Sequence, residues 1–315
     1  MNISQEKHEL IKLSNTHLKI DSGPGAGKSS FLIHFIKQRL IEGVAAKRIL
    51  VLMFTKYSKD QFSKRLVKNE IKSIKVKTLH SYGFELFSEL CDRNIIHKSH
   101  VAPISDLHIQ RWYREALTHA NSMFANRKYH HISNQTIESF YTYVTLKRNV
   151  YFKLNGISHF TALKRIENQV FEKAYEIIMS QTVEKGIINI NELVAIPAEY
   201  YLNNVNVITN LKKKYDYILV DEAQDLSECD FAMCKNHIGH GTKLVMVGDE
   251  NQSIHEYRGS NRNIFGNLDQ LIDNVCSKRL RGSYRFSKDF SELSQKLFNN
   301  KFTDVTTFSQ KNTYA

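Results

Sequence analysis

Proline is nearly missing from this 315-residue chain, with three residues against 13 glycines, and no stretch of either type reads as a linker or low-complexity segment. Domain boundaries therefore have to come from the spacing of motifs. Cysteine is scarce too. The four present, Cys91, Cys229, Cys234 and Cys276, form no CxxC pair and no zinc-ligand spacing, which argues against a disulfide framework or a zinc site. Reduced core thiols in a cytoplasmic protein are the expectation. No apolar run approaches the roughly 18 residues of a membrane span, so no membrane partner is expected. The start, MNISQEKHEL, lacks the apolar core of a signal peptide. Acidic residues are outnumbered, 32 against 44 lysines and arginines for a formal net charge of +12, an excess that favours a polyanion such as nucleic acid. The hydrophobic fraction, 42%, is that of an ordinary globular protein, long enough here for about two domains.

Two stretches carry chemistry. SGPGAGKSS, residues 22–30, follows a short strand-like run, Leu18-Lys19-Ile20, and opens into the apolar-rich Phe31-Leu32-Ile33-His34-Phe35-Ile36. Strand, glycine-rich loop and helix in that order make a phosphate-binding loop. Gly23, Gly25 and Gly27 allow the backbone N–H groups, with that of Ala26, to turn inward around phosphates, and the helix N-terminus adds partial positive charge. Lys28 is placed to reach the β- and γ-phosphates, and the Ser29 hydroxyl to ligate Mg²⁺. The second stretch is YILVDEAQD, residues 217–225. Tyr217-Ile218-Leu219-Val220 reads as a buried parallel strand that delivers Asp221 to its carboxyl end, where open α/β sheets bind ligands. Asp221 is expected to hold the metal, and Glu222 to orient and deprotonate an attacking water.

Further strands end in polar clusters. Arg48–Met53 leads to Phe54-Thr55-Lys56 and a helix over Ser58–Lys68; Ile74–Leu79 leads to His80-Ser81; Lys243–Val247 leads to Gly248-Asp249-Glu250-Asn251-Gln252-Ser253. Every cluster falls on the sheet edge that carries the glycine loop, the pattern of a ligand-binding edge in a parallel α/β sheet.

Six motifs in order resemble the N-terminal half of a superfamily 1 helicase of the UvrD/Rep type: SGPGAGKS (Walker A), VLMFTKYSKDQFSKRL (motif Ia), KTLHSYGF, VDEAQD (Walker B), VGDENQSIHEYRGS (motif III) and LRGSYRFS (motif IV). The resemblance implies a RecA-like P-loop fold with ATP and Mg²⁺ as ligands and single-stranded DNA, or a duplex with a single-stranded tail, as partner. It implies that Gln5 reads the adenine edge, that Gln252 senses the γ-phosphate, that Tyr284 stacks on the base and that Arg285 reaches the γ-phosphate. Phe54, Thr55, Thr78, His80, Tyr257 and Arg258 fall at positions that contact the DNA strand. Ser30 stands where relatives commonly place an arginine near the base, Ser22 replaces the first Walker glycine, and His255 replaces the usual motif III tyrosine.

The same resemblance divides the chain into a discontinuous ATP-binding domain, 1–86 and 203–285, and a helical insertion, 87–202. Within the insertion, Asp106–Ala120 and Ala162–Ser180 have helical apolar spacing. YTYVTLKRNVYFK, 141–153, interleaves aromatic and basic residues, which fits a nucleic-acid face or an amphipathic helix with snorkelling lysines. Residues 286–315 would begin a second RecA-like domain, and motifs V and VI do not occur in this sequence. Three readings stand at this point: a DNA-dependent ATPase, one half of a split helicase completed by a partner chain, and an ATP-switched DNA-binding regulatory module. An intact Glu222 favours the first, since a switch has no need of a general base.

Overall fold

A computed structural model describes residues 5–95, 105–149, 168–185, 192–203, 214–255 and 259–280. Helix α1 (Gln5–Lys12) precedes β1 (His17–Ser22), α2 (Lys28–Ile41), β2 (Ile49–Met53), α3 (Lys56–Lys68), β3 (Lys75–Thr78) and α4 (Leu79–Asp92). Then come α5 (Asp106–Ser122), α6 (Asn134–Asn149), α7 (Gln169–Lys185) and α8 (Glu192–Asn203). The chain returns through β4 (Tyr217–Val220), α9 (Glu228–Lys235), β5 (Lys243–Gly248), α10 (Arg262–Gly266), α11 (Leu268–Leu271) and β6 (Val275–Leu280). The strands form one parallel sheet in the order β3-β2-β4-β5-β1-β6. This is the α/β, RecA-like class expected. No helix among the described residues is long and apolar enough to cross a membrane.

The sheet is buried on both faces, and the two-residue period of a strand sorts its side chains. Leu50, Leu52, Ile218, Val220, Leu244 and Met246 pack on one side with α4, α8, α9, α10 and α11. Ile49, Val51, Met53, Leu219, Val245, Val247, Leu18 and Ile20 pack on the other with α1, α2 and α3. Near-continuous apolar runs such as ILVLM and YILV are what a strand covered on both faces requires. Strand β3 is shorter than the expected 74–79: the Thr78 hydroxyl accepts the N–H of Ser81 at 3.2 Å, capping α4 so that Leu79 is already helical. Strand β6 carries no apolar run, because it lies at the sheet edge with Ser277, Lys278 and Arg279 exposed.

Helices α5, α6 and α7 build a separate core around Trp112, Tyr113, Phe140, Tyr143 and Phe171. Helix α8 does not join it. Its Val194, Ala195, Ala198 and Tyr201 belong to the core on the sheet, and α4 approaches so closely that a Cβ on Gly83 would stand 2.5 Å from the Leu193 carbonyl oxygen. The two cores are tied by a buried ion pair. Arg148 of α6 donates from Nε to Glu192 Oε1 at 2.7 Å and from a terminal nitrogen to Oε2. In the described part of 141–153, Tyr143 is buried, Lys147 pairs with Glu172 and Arg148 with Glu192. Those three side chains are engaged in packing.

Candidate functional site

Three neighbouring strands, β4, β5 and β1, bring their carboxyl ends together. After Ser22 the chain turns through Gly23–Gly27, with Gly25 and Gly27 at φ +78° and +90°, left-handed values that a Cβ would make costly. Gly27 is the N-cap of α2 and no side chain caps that helix, so its first N–H groups remain for an anion. The ammonium of Lys28 lies 3.4 Å from the Ser22 carbonyl and 3.9 Å from Glu222 Oε2. Ser29 is half-buried in the first helical turn. Ser30 points along the helix, its hydroxyl 3.4 Å from His34 Nδ1.

Strand β4 ends in the two carboxylates. Asp221 is buried, its N–H donating to the Leu52 carbonyl at 3.1 Å, and its Oδ1 accepting the N–H of Glu222 at 3.1 Å. Burial, with the neighbouring charge of Glu222, pushes its carboxyl up to about 7 against the pull of Lys28 and Arg65. A carboxylate so short of solvent gains from a cation beside it. Glu222 is held at φ +52°, a left-handed conformation that a non-glycine residue keeps only when its surroundings enforce it. The Ser29 hydroxyl and the buried Asp221 carboxylate are oxygen donors of the kind that Mg²⁺ takes, and they fit that ion if it is bound with phosphate. No group of three or more His, Cys, Asp or Glu that could hold a metal occurs among the described residues.

Gln252, in a short turn after β5, donates from Nε2 to Asp249 Oδ2 at 2.8 Å, while Lys28 acts on the charge of Asp249. The expected residues Lys28, Ser29, Asp221, Glu222 and Gln252 thus share one edge. Tyr284 and Arg285 lie outside the described residues, as do Tyr257 and Arg258. Gln5 opens α1, and of its side chain nothing is described.

On the adjoining part of the edge, β2 and β3 end in register, Met53 beside Thr78. Phe54 is half-buried, its ring stacked on that of His255 with centroids 5.3 Å apart and planes 17° apart. The Thr55 hydroxyl caps α3, accepting the N–H of Ser58 at 3.0 Å, and Thr78 caps α4 in the same way. His80 is exposed in the first turn of α4. Phe54, Thr55, Thr78 and His80 therefore occupy neighbouring strand ends, and both threonines also have a purely structural task.

Two residues of this site escaped the sequence. Lys7 of α1 is buried and donates to the Ala26 carbonyl at 2.8 Å, clamping the helix that begins with Gln5 onto the glycine loop. Gln224 donates to Glu222 and accepts the N–H of Asp249. Nothing in the pattern around Lys7 distinguishes it from a surface lysine, whereas Gln224 sits inside the VDEAQD string and could have been singled out there.

A model of the UvrD/REP helicase N-terminal domain family matches residues 3–273. Among curated proteins, the chain is 24% identical over 293 residues to a "Probable DNA helicase II homolog" of Mycoplasma capricolum, covering 91% of this chain and 40% of that protein. It is 23% identical over 322 residues to the "ATP-dependent DNA helicase Rep" of Buchnera aphidicola from Acyrthosiphon pisum, covering 98% and 47%. With the "DNA helicase II" of Escherichia coli K12 it shares 20% over 308 residues, 95% and 40% of the two lengths. The chain thus spans less than half the length of these relatives.

Proposed function

Because this chain belongs to the UvrD/REP helicase N-terminal domain family, we propose that it binds ATP with Mg²⁺ and hydrolyses it under stimulation by single-stranded DNA. The observation that carries the reading is the meeting of Lys28, the buried Asp221 and Glu222 at one sheet edge, with Lys28 Nζ 3.9 Å from Glu222 Oε2. Lys28 and the N–H groups of Gly25, Gly27 and Lys28 hold the phosphates, that of Ala26 being given instead to the Gly23 carbonyl at 3.2 Å, and Asp221 and the Ser29 hydroxyl hold Mg²⁺. The metal, when bound, neutralises charge on the phosphoryl oxygens. Glu222 takes the proton of the attacking water, and Gln224 fixes the orientation of that carboxylate. Gln252 reads the γ-phosphate. Gln5 and Tyr284 hold the base and Arg285 the γ-phosphate, as the family resemblance implies.

The DNA strand runs over Phe54, Thr55, Thr78 and His80, with Tyr257 and Arg258 assigned by resemblance alone. Stacking on an aromatic ring is worth roughly 1–3 kcal/mol per base and tolerates any sequence, and the net charge of +12 supplies attraction to the backbone. Strand translocation requires a second RecA-like lobe, in this polypeptide or a partner's, to close on the triphosphate.

The test is ATP hydrolysis by the purified chain with and without single-stranded DNA, beside Lys28→Ala and Glu222→Gln. DNA-stimulated turnover lost in both variants is the expected outcome. Turnover that survives Lys28→Ala, or ATP binding without any turnover at saturating DNA, would refute the enzyme. An RNA oligonucleotide of the same sequence tells DNA from RNA.

A further inference from the structure

Strand β1 breaks the rule its neighbours obey. On the face where β2, β4 and β5 present leucine, isoleucine, valine and methionine, β1 presents His17, Lys19 and Asp21; Lys19 pairs in register with Met246, and Asp21 with Gly248. A charged side chain inside a sheet core is costly unless its partners compensate. The partners here are specific. The Lys19 ammonium donates to the Gly266 carbonyl at 2.6 Å, pairs with Glu250 Oε1 at 2.7 Å and lies over the Phe265 ring. Asp21 Oδ1 accepts the N–H of Glu250 at 3.4 Å, and its Oδ2 lies 3.5 Å from Nε of Arg279 on β6. Both side chains on β1 therefore end on Glu250, the first residue of the turn Glu250–Gln252. The same strand runs directly into the glycine loop.

We propose that Asp21 and Lys19 are positioning residues that fasten the Gln252 turn to the phosphate-loop strand and so set the preference for a nucleoside triphosphate over a diphosphate. This rests on the nucleotide reading of the site. Gln224 holds the two flanks of the turn, through the Asp249 N–H at 3.0 Å and the Ser253 hydroxyl at 3.2 Å. Gln252 itself bonds back to Asp249 in the hydrogen bonds described, through its N–H at 2.9 Å and its Nε2 at 2.8 Å. Asp21 and Lys19 add the tie to β1. Asp21 also meets Arg279 of β6, so one carboxylate on the phosphate-loop strand touches both the turn and the neighbouring edge strand.

The test is titration calorimetry of the full chain with Mg²⁺ and either a non-hydrolysable ATP analogue or ADP. The variants are Gln252→Ala, Asp21→Ala, Glu250→Ala and each of the last two combined with Gln252→Ala. Glu250 is a half-exposed side chain, 42%, so its variant keeps the question open to experiment should Asp21→Ala fail to fold. Gln252→Ala is expected to cost triphosphate preference about tenfold, the scale of one hydrogen bond to a charged group. Asp21→Ala and Glu250→Ala should lose preference in the same direction with ADP affinity held, and the double variants should lose little more than Gln252→Ala. An unchanged ratio in Glu250→Ala and Asp21→Ala, or losses that add in full, overturns the inference while leaving the nucleotide site standing. Absence of binding by either nucleotide to the unaltered chain removes the proposed function and this inference together.

Discussion

The carboxylate of Glu222 is held by Gln224, whose Nε2 donates to Glu222 Oε2 at 3.0 Å while its Oε1 accepts the N–H of Asp249 at 3.0 Å. One amide thereby joins the end of β4 to the end of β5. The space is tight: a Cβ on Gly248 would stand 2.7 Å from Gln224 Oε1. Replacing Gln224 by alanine frees Glu222 to turn away. On the proposed role of Glu222 as general base, misplacing it by an ångström costs about 10²-fold, so Gln224→Ala should lower kcat by about that factor and leave nucleotide affinity within a few-fold. Equal losses in affinity and kcat would show that Gln224 supports the fold rather than the base.

The buried pair Arg148–Glu192 joins α6 to α8, the helix that packs on the sheet, each side chain being 5% exposed. Glu192 raises the affinity of the guanidinium for its proton further above its ordinary range, against the burial that opposes it. Removing one partner strands the other charge, at a cost of about 3–5 kcal/mol. Arg148→Met should therefore destabilise by that amount in urea unfolding, and Arg148→Met with Glu192→Leu should recover most of it. A double variant as unstable as the single one would refute the stranded-charge account.

Gly83 is set by contact rather than by backbone conformation. The Leu193 carbonyl carbon and the Val194 Cα lie 3.1 and 3.2 Å from where its Cβ would be, and both are backbone atoms with no side-chain freedom to yield. Gly83→Ala should cost about 1–3 kcal/mol, the usual penalty for overpacking, and should lower the thermal midpoint. An unchanged midpoint would mean that α4 and α8 can separate freely.

His17 sets an acid limit on stability. Its Nδ1 accepts the N–H of Leu244 at 3.0 Å, so the ring is neutral, and burial with the nearby charge of Lys243 pushes it down to about 4 from 6.5. The unfolded chain thus binds a proton between pH 6.5 and 4 that the folded chain refuses, and stability falls as pH falls through that window. In His17→Asn an amide oxygen can replace Nδ1 without titrating. Between pH 7 and pH 4 the unaltered chain should lose on the order of 2 kcal/mol relative to this variant. Parallel stability curves for the two would exclude His17 as the titrating group.

The strands β1, β2, β4 and β5 and the phosphate loop were legible in the sequence because each depends on neighbours within a few residues: apolar runs, glycines at fixed spacing, carboxylates at a strand end. Strand β6 was not, since VCSKRL is an exposed edge whose pairing comes from β1. The placement of α8 was equally hidden. Its apolar spacing names no partner; the packing of Val194, Ala195, Ala198 and Tyr201 in the core on the sheet, with the close approach to α4 at Gly83, sets its place.

What the sequence by itself determined is which groups meet at one edge of a parallel sheet: a glycine loop with Lys28, the Asp221–Glu222 pair at the end of β4, and Gln252 beyond β5. What only the tertiary structure decided is how those groups are held. Lys7 reaches Ala26 across 19 residues, Asp21 reaches Glu250 across 229 and Arg148 reaches Glu192 across 44. Periodicity and motif spacing are local properties of the chain, whereas the partner of a buried charge is chosen by which segments the core brings together.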